Sequence, residues 1–416
     1  MFFLYQVLIS IIILLSPLII LIRILKNKED TKRFLEKFCI FSKRKNSGKL
    51  IWLHGASVGE LLSLIPIIYK LERNLSIKQI LVTTNTLSSS KVFKKYKFKK
   101  TIHQFFPIDQ YILTNKFLKY WEPHVSIFVD SEIWPAMTRS LKENNIPLIL
   151  LNARLTKKSF KRWIKFKNFA KSVFELISIA YPQNNQTKKY LEKLWVKKIK
   201  VIGNLKLIEN TDDKKDNINK ALNLQFKKYN VWTAASTHRN EELFCAKVHT
   251  ELKNKVKNLL TIIIPRHIDR VDEITSEMKK LNLKVAKHSA NLKSLKNIDI
   301  YIVDTFGDTK KFFKISNSVL IGGTLVKKGG QNPLEAARYG SKIFHGPNVD
   351  NFPDVFNLLK KLNISKEVKS PKKLILEITF KKKTNGAFKL KKIGRLILKK
   401  TLKELKPFIQ NEPKKT

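Results

Sequence analysis

A glutamate that follows the first apolar run of the chain has the position and chemistry of a general base. The run is residues 50–53 (LIWL), and the small residues of the next segment, 54–60 (HGASVGE), predict a turn that opens a helix. Ser57 and Glu60 have the spacing of a capping box, in which each side chain accepts a hydrogen bond from the backbone N–H of the other residue. A carboxylate at the carboxyl end of a strand can instead accept a proton from a hydroxyl nucleophile. The residues by themselves leave both roles open for Glu60.

Polar residues also follow the later predicted strands of the first half. Asp130 and Glu132 come directly after residues 125–129 (VSIFV); Asp130 fits a helix cap as readily as any other role, and Glu132 is the better candidate for a cleft residue. Arg154 ends the next apolar run and is one of only 12 arginines in the chain. Lys206 could reach the same cleft, although its position is a weak argument among 70 lysines.

In the second half, Arg266 and His267 follow the apolar run 260–264 (LTIII). The guanidinium of arginine is a planar fork that binds phosphate, and a solvated surface pair is the alternative. Residues 304–308 (DTFGD) follow another apolar run and by themselves are typical of a turn.

The strongest local pattern is a pair of glycine-rich segments, residues 322–324 (GGT) and 329–335 (GGQNPLE). With Asn332 as N-cap and Pro333 as the first helical residue, free backbone N–H groups at the helix start would bind an anion. Glu335, at the third helical position, could complete a cap or accept hydrogen bonds from ribose hydroxyls, and the local pattern favours neither role.

The sequence contains no cluster of histidines or cysteines with metal-ligand spacing and no P-loop. Its two cysteines, Cys39 and Cys245, are far apart, which is typical of a protein from a reducing compartment. We therefore predict neither a metal nor a bound cofactor.

The elements that must position these residues follow from short apolar runs that alternate with longer amphipathic segments. Further runs of this kind are residues 80–83, 148–151, 231–234, 300–303, 319–321 and 343–344. This rhythm predicts an α/β protein with parallel sheets. We predict two Rossmann-like domains, 48–207 and 221–386, a linker at 208–220 and a closing helix at 387–408, with a cleft between the domains.

Residues 2–22 are apolar and uncharged, and a helix of this length would span the hydrocarbon core of a bilayer. The start lacks the basic residues and cleavage site of a signal peptide, so we predict an uncleaved anchor. The many cations of residues 23–45 predict that the two domains face the cytoplasm. Because the candidate functional residues all lie beyond residue 48, the anchor is expected to hold the protein at the membrane without forming part of the site.

The net charge of +49 suits a nucleic acid, an anionic membrane surface or a polyanionic substrate. However, an even excess of Lys, Ile and Asn is also typical of an AT-rich genome, so binding accounts for no more than half of the charge. A charge-driven binder without catalysis would need basic and aromatic residues clustered on one face.

The ordered motifs resemble the Kdo transferase family of lipopolysaccharide synthesis. They are HGASVGE, DSEIWP, NARLT, GNLK, ASTHRNEE, PRH, DTFGD and the segment GGTLVKKGGQNPLEAARYGSKIFHGPNVDNF, and they span about residues 48 to 355. The resemblance implies a GT-B glycosyltransferase at the inner membrane. Such an enzyme transfers 3-deoxy-D-manno-octulosonic acid (Kdo) from CMP-Kdo to a lipid A precursor, lipid IVA, inverting the anomeric centre without a metal. Its partners would be these two substrates and the anionic membrane surface, with no nucleic acid.

The resemblance also assigns roles to individual residues. It makes Glu60 the proton acceptor and gives Glu132 and Lys206 roles in stabilising the transition state. It assigns contacts with CMP to nine residues: Arg266, His267, Phe306, Gly307, Asp308, Asn332, Pro333, Leu334 and Glu335.

Two positions depart from the family pattern. Phe306-Gly307-Asp308 stands where the family usually has Met-Gly-Glu, and Gln331 stands where it usually has His. The side chain of Asp308 is one methylene shorter than that of Glu, which disfavours a side-chain contact at this position. Gln331 can donate a hydrogen bond but carries no charge. The nearest alternative is another membrane-associated GT-B enzyme that uses a UDP-sugar donor.

Overall fold

The chain forms two compact units, Met1–Asn210 with Ile393–Thr416, and Thr211–Lys392. The computed structural model describes residues 1–209, 218–290, 294–382 and 384–410. Most of the predicted linker at 208–220, namely residues 210–217, lies outside the described residues.

Unit 1 begins with two apolar helices, α1 (Phe2–Leu14) and α2 (Ser16–Leu25), which are bent by 54° at the break between them. Pro17 has no N–H to donate to the preceding turn, and the Ser16 hydroxyl donates to the Ile13 carbonyl oxygen at 2.6 Å. In the described part of the chain no single helix is long and apolar enough to cross a bilayer, whereas this bent pair meets the criterion when its members are counted together.

The two helices bury one face. Phe2, Tyr5, Gln6, Ile9 and Ile13 are half-buried at helical spacing, while the residues between them are exposed. In α2 the same face continues with Ser16, Ile20, Arg23 and Ile24. The N-terminal segment therefore packs along unit 1 instead of projecting freely from it.

The core of unit 1 is a six-stranded parallel sheet in the order β3-β2-β1-β4-β5-β6. Its strands are β1 (Leu50–His54), β2 (Gln79–Thr84), β3 (Thr101–Phe105), β4 (Val125–Val129), β5 (Leu148–Ala153) and β6 (Ile179–Pro182). Strands β1, β2, β4 and β5 are buried along their whole length, as expected for a parallel sheet that is covered on both faces. The order reverses direction between β1 and β4, which makes that pair the switch point of a doubly wound sheet.

Helices cover this sheet. They are α3 (Val58–Leu71), α4 (Leu87–Phe93), α5 (Tyr111–Trp121), α6 (Pro135–Glu143), α7 (Lys157–Lys165), α8 (Lys167–Phe174) and α9 (Asn185–Lys193), with 3₁₀ turns at Phe34–Phe38 and Leu205–Leu207. One large cluster of buried side chains, which includes Trp52, Phe117, Trp121 and Phe128, packs beneath them.

Unit 2 is built on a seven-stranded parallel sheet in the order β13-β12-β11-β7-β8-β10-β9, with its switch point between β7 and β11. The strands are β7 (Asn230–Thr237), β8 (Leu259–Pro265), β9 (Val285–Lys287), β10 (Ile300–Ile302), β11 (Ser318–Ile321), β12 (Lys342–His345) and β13 (Ser365–Glu367). Its helices are α10 (Lys220–Phe226), α11 (Glu241–Lys253), α12 (Val271–Lys280), α13 (Thr309–Ile315), α14 (Leu334–Arg338), α15 (Pro353–Lys361) and α16 (Pro371–Glu377), with 3₁₀ turns at Ile268–Arg270 and His288–Ala290.

The closing helix, α17 (Thr384–Gln410), is longer than the predicted 387–408 and is shared between the units. From Ile393 on it belongs to unit 1, where Glu404 pairs with Lys200 at 2.5 Å and the Lys49 ammonium donates to the Ile409 carbonyl oxygen at 2.9 Å. Gly394 lies so close to Leu207 that a Cβ there would meet the Leu207 carbonyl oxygen at 2.5 Å. This glycine allows α17 to pack against the segment that carries Lys206.

Candidate functional site

The predicted catalytic residues of unit 1 gather at the carboxyl ends of the switch-point strands. Glu60 follows β1 and Glu132 follows β4, and these two strands are hydrogen-bonded neighbours. Open α/β sheets bind their ligands at this position. Lys206 comes from a distant 3₁₀ turn and joins them through Asp130.

Glu60 is the third residue of α3 and forms the predicted capping box. The Ser57 hydroxyl lies 3.4 Å from the Glu60 amide nitrogen, and the Ser57 N–H donates to Glu60 Oε2 at 3.2 Å. Burial raises the pKa of the Glu60 carboxyl, and the charges of Glu132 and Asp130 raise it further, while the bonds with Ser57 lower it. A capping carboxylate that is also crowded by two other carboxylates is a better proton acceptor than an ordinary surface glutamate.

Glu132 is held from two sides. Its Oε2 lies 3.2 Å from His54 Nε2 and accepts a hydrogen bond from the indole N–H of Trp134 at 3.0 Å. His54 is the last residue of β1 and is fully buried, and its Nδ1 lies 2.9 Å from the Thr83 hydroxyl. The carboxylate is therefore oriented by two groups, the imidazole at the end of β1 and the indole that precedes α6.

Lys206 and Asp130 form a partly buried ion pair, in which Lys206 Nζ lies 2.8 Å from Asp130 Oδ2. The side-chain amide of Asn152, near the end of β5, contacts both neighbours. Its nitrogen lies 3.4 Å from Asp130 Oδ1, and its oxygen accepts from the Leu205 N–H at 2.8 Å. Asp130 and Asn152 both have positive φ, 63° and 52°, which turns their side chains at the strand ends.

The structure does not give Asp130 the helix-capping role that its sequence position allowed. Helix α6 begins at Pro135, and its first free N–H groups, those of Ala136 and Met137, donate to Asp109 at 3.0 and 2.8 Å. Asp130 is engaged by Lys206 instead.

His54 belongs to the same motif as Glu60, but the sequence pattern indicated no role for it. The signal was its place as the only polar residue of a buried strand, LIWLH, because a buried imidazole must find hydrogen-bond partners. Asn152, the residue before the last in β5, is likewise the only polar residue of a buried strand.

In unit 2 the first glycine-rich segment follows β11 at the switch point. A Cβ on Gly322 would lie 2.1 Å from the carbonyl oxygen of Ser236, so only glycine allows the two chain segments to approach. The carboxylate of Glu241 holds this loop by accepting from the N–H groups of His238, Gly323 and Leu325 at 2.9, 2.7 and 3.0 Å.

Arg266 and His267 follow β8, next to this loop. Both side chains are exposed, and the Arg266 backbone N–H donates to the Thr237 carbonyl oxygen at 3.0 Å. The rings of His267 and His238 lie 5.8 Å apart. Burial, then the charges of His267 and Lys328, lower the pKa of His238.

Phe306, Gly307 and Asp308 form the loop that leads into α13. Phe306 is 87% exposed, and Gly307 has a φ of 90°, which favours glycine. Asp308 accepts from Thr305 at 2.5 Å and pairs with Lys311 at 2.6 Å. Burial opposes its charge, but these two bonds lower the pKa of Asp308 below its usual range. Its carboxylate thus stabilises the loop itself.

The second glycine-rich segment leads into α14, which starts one residue later than predicted. Pro333 is its N-cap residue and not its first helical residue, and Glu335 is accordingly the second helical residue and not the third. Asn332 still caps the start, because its side-chain oxygen accepts from the Leu334 N–H at 3.1 Å. Pro333 and Leu334 are buried, whereas Glu335 is half-buried with one oxygen 3.5 Å from the ammonium of Lys310.

No group of three or more His, Cys, Asp or Glu side chains that could hold a metal ion occurs among residues 1–209, 218–290, 294–382 and 384–410. Cys39 and Cys245 are free and buried, and burial raises the pKa of both thiols.

Two doubly wound parallel units, each with polar residues at its switch point, define a GT-B-like protein, a class of fold shared by sugar transferases and epimerases. Solved structures with this fold include UDP-GlcNAc 2-epimerase from Neisseria meningitidis (TM-score 0.57, 13% identity, 85% of this chain and 100% of that one). Another is a glycosyltransferase from Rickettsia africae (TM-score 0.55, 14% identity, 88% of this chain and 100% of that one).

Sequence comparison identifies the family. Residues 32–208 match the family described as 3-deoxy-D-manno-octulosonic-acid transferase (kdotransferase). The 3-deoxy-D-manno-octulosonic acid transferase of Rickettsia prowazekii is 30% identical over an alignment of 458 positions, which covers 100% of this chain and 97% of that protein. The chain belongs to the 3-deoxy-D-manno-octulosonic acid transferase family.

Proposed function

We propose that the protein transfers Kdo from CMP-Kdo to a hydroxyl of lipid IVA in lipopolysaccharide core biosynthesis, with inversion at the anomeric carbon and without a metal. The observation that carries the proposed mechanism is the position of Glu60 at the β1–β4 switch point, with its pKa raised by burial and by Glu132. Membership of the family supports the donor and the reaction.

Glu60 would act as the general base. A sugar hydroxyl is a weak nucleophile at neutral pH, so a carboxylate within hydrogen-bond reach must take its proton while the new glycosidic bond forms. The raised pKa makes Glu60 a stronger base than an ordinary glutamate, and the capping box holds its side chain at the helix start.

Glu132 and Lys206 would stabilise the charge that develops in the transition state. Breaking the bond to CMP leaves positive charge on the sugar ring, which a fixed carboxylate such as Glu132 stabilises. The ion pair with Asp130 fixes the position of the Lys206 ammonium, so this charge is oriented before a substrate binds.

The CMP moiety would bind to unit 2. Arg266 and His267 are exposed at the carboxyl end of β8, where a guanidinium fork could bind the phosphate that leaves with CMP. Phe306, Gly307 and Asp308 would contact CMP through the exposed ring and the backbone, since the Asp308 carboxylate is already engaged by Thr305 and Lys311. Asn332, Pro333, Leu334 and Glu335 would contribute the start of α14.

The N-terminal helix pair would attach the enzyme to the inner membrane as a single anchor, with both catalytic units in the cytoplasm. Large apolar side chains such as Phe3, Leu14 and Leu18 are exposed on these helices and would enter the lipid. Some of the basic residues that follow are neutralised internally: Arg23 and Lys37 pair with Glu29. Exposed cations that remain for anionic lipid are Lys26, Lys28, Lys32, Lys43 and Arg44.

The test is to incubate the purified full-length protein with CMP-Kdo and tetraacylated lipid IVA and to determine the product by mass spectrometry. We expect lipid IVA that carries Kdo, with the inverted anomer by NMR and the same rate in the presence of EDTA. A parallel panel of UDP-sugars tests the alternative donor class. Transfer from a UDP-sugar with none from CMP-Kdo would overturn the proposal.

A further inference from the structure

The first turns of α1 are docked on unit 1 by polar contacts as well as apolar ones. The Tyr5 hydroxyl donates to Asp109 Oδ2 at 2.6 Å, and the Gln6 side-chain oxygen accepts from the Tyr111 N–H at 2.8 Å. The ring of Phe2 lies 6.4 Å from that of Tyr111, and the guanidinium of Arg139 is 4.7 Å from the Phe2 ring centre. A segment that served only to enter lipid would not need these contacts.

Asp109 is the centre of this docking site. It is only 2% exposed, and its two oxygens accept three hydrogen bonds: from Tyr5 and from the N–H groups of Ala136 and Met137. Burial raises the pKa of Asp109, whereas the Tyr5 hydroxyl and the two N–H groups lower it. Loss of the hydroxyl would leave Oδ2 with one donor fewer in a buried place, which is costly for a carboxylate.

Asp109 in turn holds the start of α6. The N-cap residue of α6, Trp134, makes no side-chain capping hydrogen bond. Asp109 therefore supplies the acceptor that the first N–H groups of the helix require. Trp134 also donates its indole N–H to Glu132. A continuous path of hydrogen bonds and two peptide units therefore connects Tyr5 with the carboxylate of Glu132.

We propose that Tyr5 is a positioning residue: by holding Asp109 against the start of α6, the N-terminal helix sets the orientation of Trp134 and Glu132. The inference rests on the proposed function, in which Glu132 stabilises the transition state. The N-terminal helix then contributes to catalysis as well as to membrane attachment. Release of α1 from its docking site lowers turnover even when the acceptor is dispersed in detergent.

The test compares Tyr5→Phe with Tyr111→Phe in the full-length protein in detergent. Both variants lose one hydroxyl that donates to a carboxylate, but the Tyr111 hydroxyl bonds to Glu143 at the surface, at 2.5 Å. With CMP-Kdo and dispersed lipid IVA, Tyr5→Phe should lower kcat about five- to fiftyfold with KM for CMP-Kdo unchanged, while Tyr111→Phe stays within twofold of wild type.

Amide hydrogen exchange supplies a second measurement that needs no activity. The peptide that contains Ala136 and Met137 should exchange at least several-fold faster in Tyr5→Phe than in wild type or Tyr111→Phe, with the central strands of unit 1 unchanged. Unchanged kcat or unchanged exchange at α6 would overturn the inference. If wild type transfers no Kdo, the proposed function fails, and exchange alone decides whether Tyr5 holds α6.

A double variant tests the path itself. If Tyr5 acts through Asp109, adding Tyr5→Phe to Asp109→Asn should lower kcat no further than Asp109→Asn alone. Independent, multiplicative losses would mean that Tyr5 acts by another route. Should Asp109→Asn not fold, the comparison of Tyr5→Phe with Tyr111→Phe remains decisive.

Discussion

His54 and Glu132 are joined across the switch point of the unit 1 sheet, with 3.2 Å between His54 Nε2 and Glu132 Oε2. A carboxylate can only accept a hydrogen bond, so the proton of this bond is carried by His54 Nε2. On the other side of the ring, Nδ1 lies 2.9 Å from the Thr83 hydroxyl and 3.1 Å from the Thr83 carbonyl oxygen. The hydroxyl oxygen also accepts from the Trp52 indole N–H at 2.9 Å. Both ring nitrogens of His54 therefore have polar partners within hydrogen-bond distance, which fixes the orientation of the ring.

The first prediction concerns this imidazole. His54→Gln keeps an N–H donor for Glu132, whereas His54→Leu removes it, and both replace a fully buried side chain. We expect kcat to fall about tenfold more in His54→Leu than in His54→Gln, at similar KM for CMP-Kdo. Steady-state kinetics of the two variants, with melting temperatures as the folding control, measure the difference. Equal loss would show that packing and not the hydrogen bond matters.

The second prediction separates capping from catalysis at Glu60. Glu60→Gln keeps the shape and an acceptor for the Ser57 N–H but cannot take a proton, so turnover should fall by about two to four orders of magnitude. Ser57→Ala is the matched control, because it removes the hydroxyl of the same capping box and should cost about 1 kcal/mol of stability with little loss of turnover. Similar activity in the two variants would leave Glu60 with the structural role alone.

The third prediction is the pH dependence. Burial first, and the Glu132 charge second, raise the pKa of Glu60, so kcat/KM should decline as the pH falls through this raised value and the base becomes protonated. Glu132→Gln removes the repelling charge, which lowers the pKa of Glu60. The acidic limb should therefore move to lower pH, beneath a reduced plateau. Glu143→Gln, on the exposed side of α6, should leave the profile in place; an unmoved limb in Glu132→Gln contradicts the coupling.

A fourth prediction addresses the donor. Arg266→Lys retains the charge but loses the planar fork, and CMP should bind about 1–3 kcal/mol more weakly by calorimetry. Arg162→Lys, on α7 of the other unit, serves as control and should bind CMP like wild type. Equal affinity in both variants would remove Arg266 from the donor site.

The fifth prediction is for removal of residues 1–22. The sequence alone predicted that the truncated protein still turns over detergent-dispersed acceptor and loses most activity on vesicles, because all motifs lie beyond residue 48. The bond between Tyr5 and Asp109 leads us to expect a lower kcat in detergent too, and a larger loss on vesicles.

Added salt should increase only the vesicle defect, because screening weakens the remaining attraction of the basic residues to anionic lipid; the Debye length falls from about 10 Å at 0.1 M to about 3 Å at 1 M. Undiminished turnover in detergent would restore the simpler anchor.

The central strands were predictable because a strand buried on both faces must be apolar along its length. The runs at residues 50–53, 125–129 and 260–264 all fall within observed strands. The strands that no apolar run indicated, β3, β6, β9 and β13, are the four edges of the two sheets. Edge strands pair on one side only and include polar residues, as in Thr101–Phe105 (TIHQF), so their sequences lack the signal.

The candidate site divides in the same way. The sequence by itself determined the capping box of Ser57 and Glu60, because both partners lie within one helical turn. Only the tertiary structure decided that Asp109 and not Asp130 caps α6, that Asp130 pairs with Lys206, and that His54 meets Glu132. Each of these contacts joins residues more than 20 positions apart. Their geometry depends on strand order and packing, which local spacing does not encode.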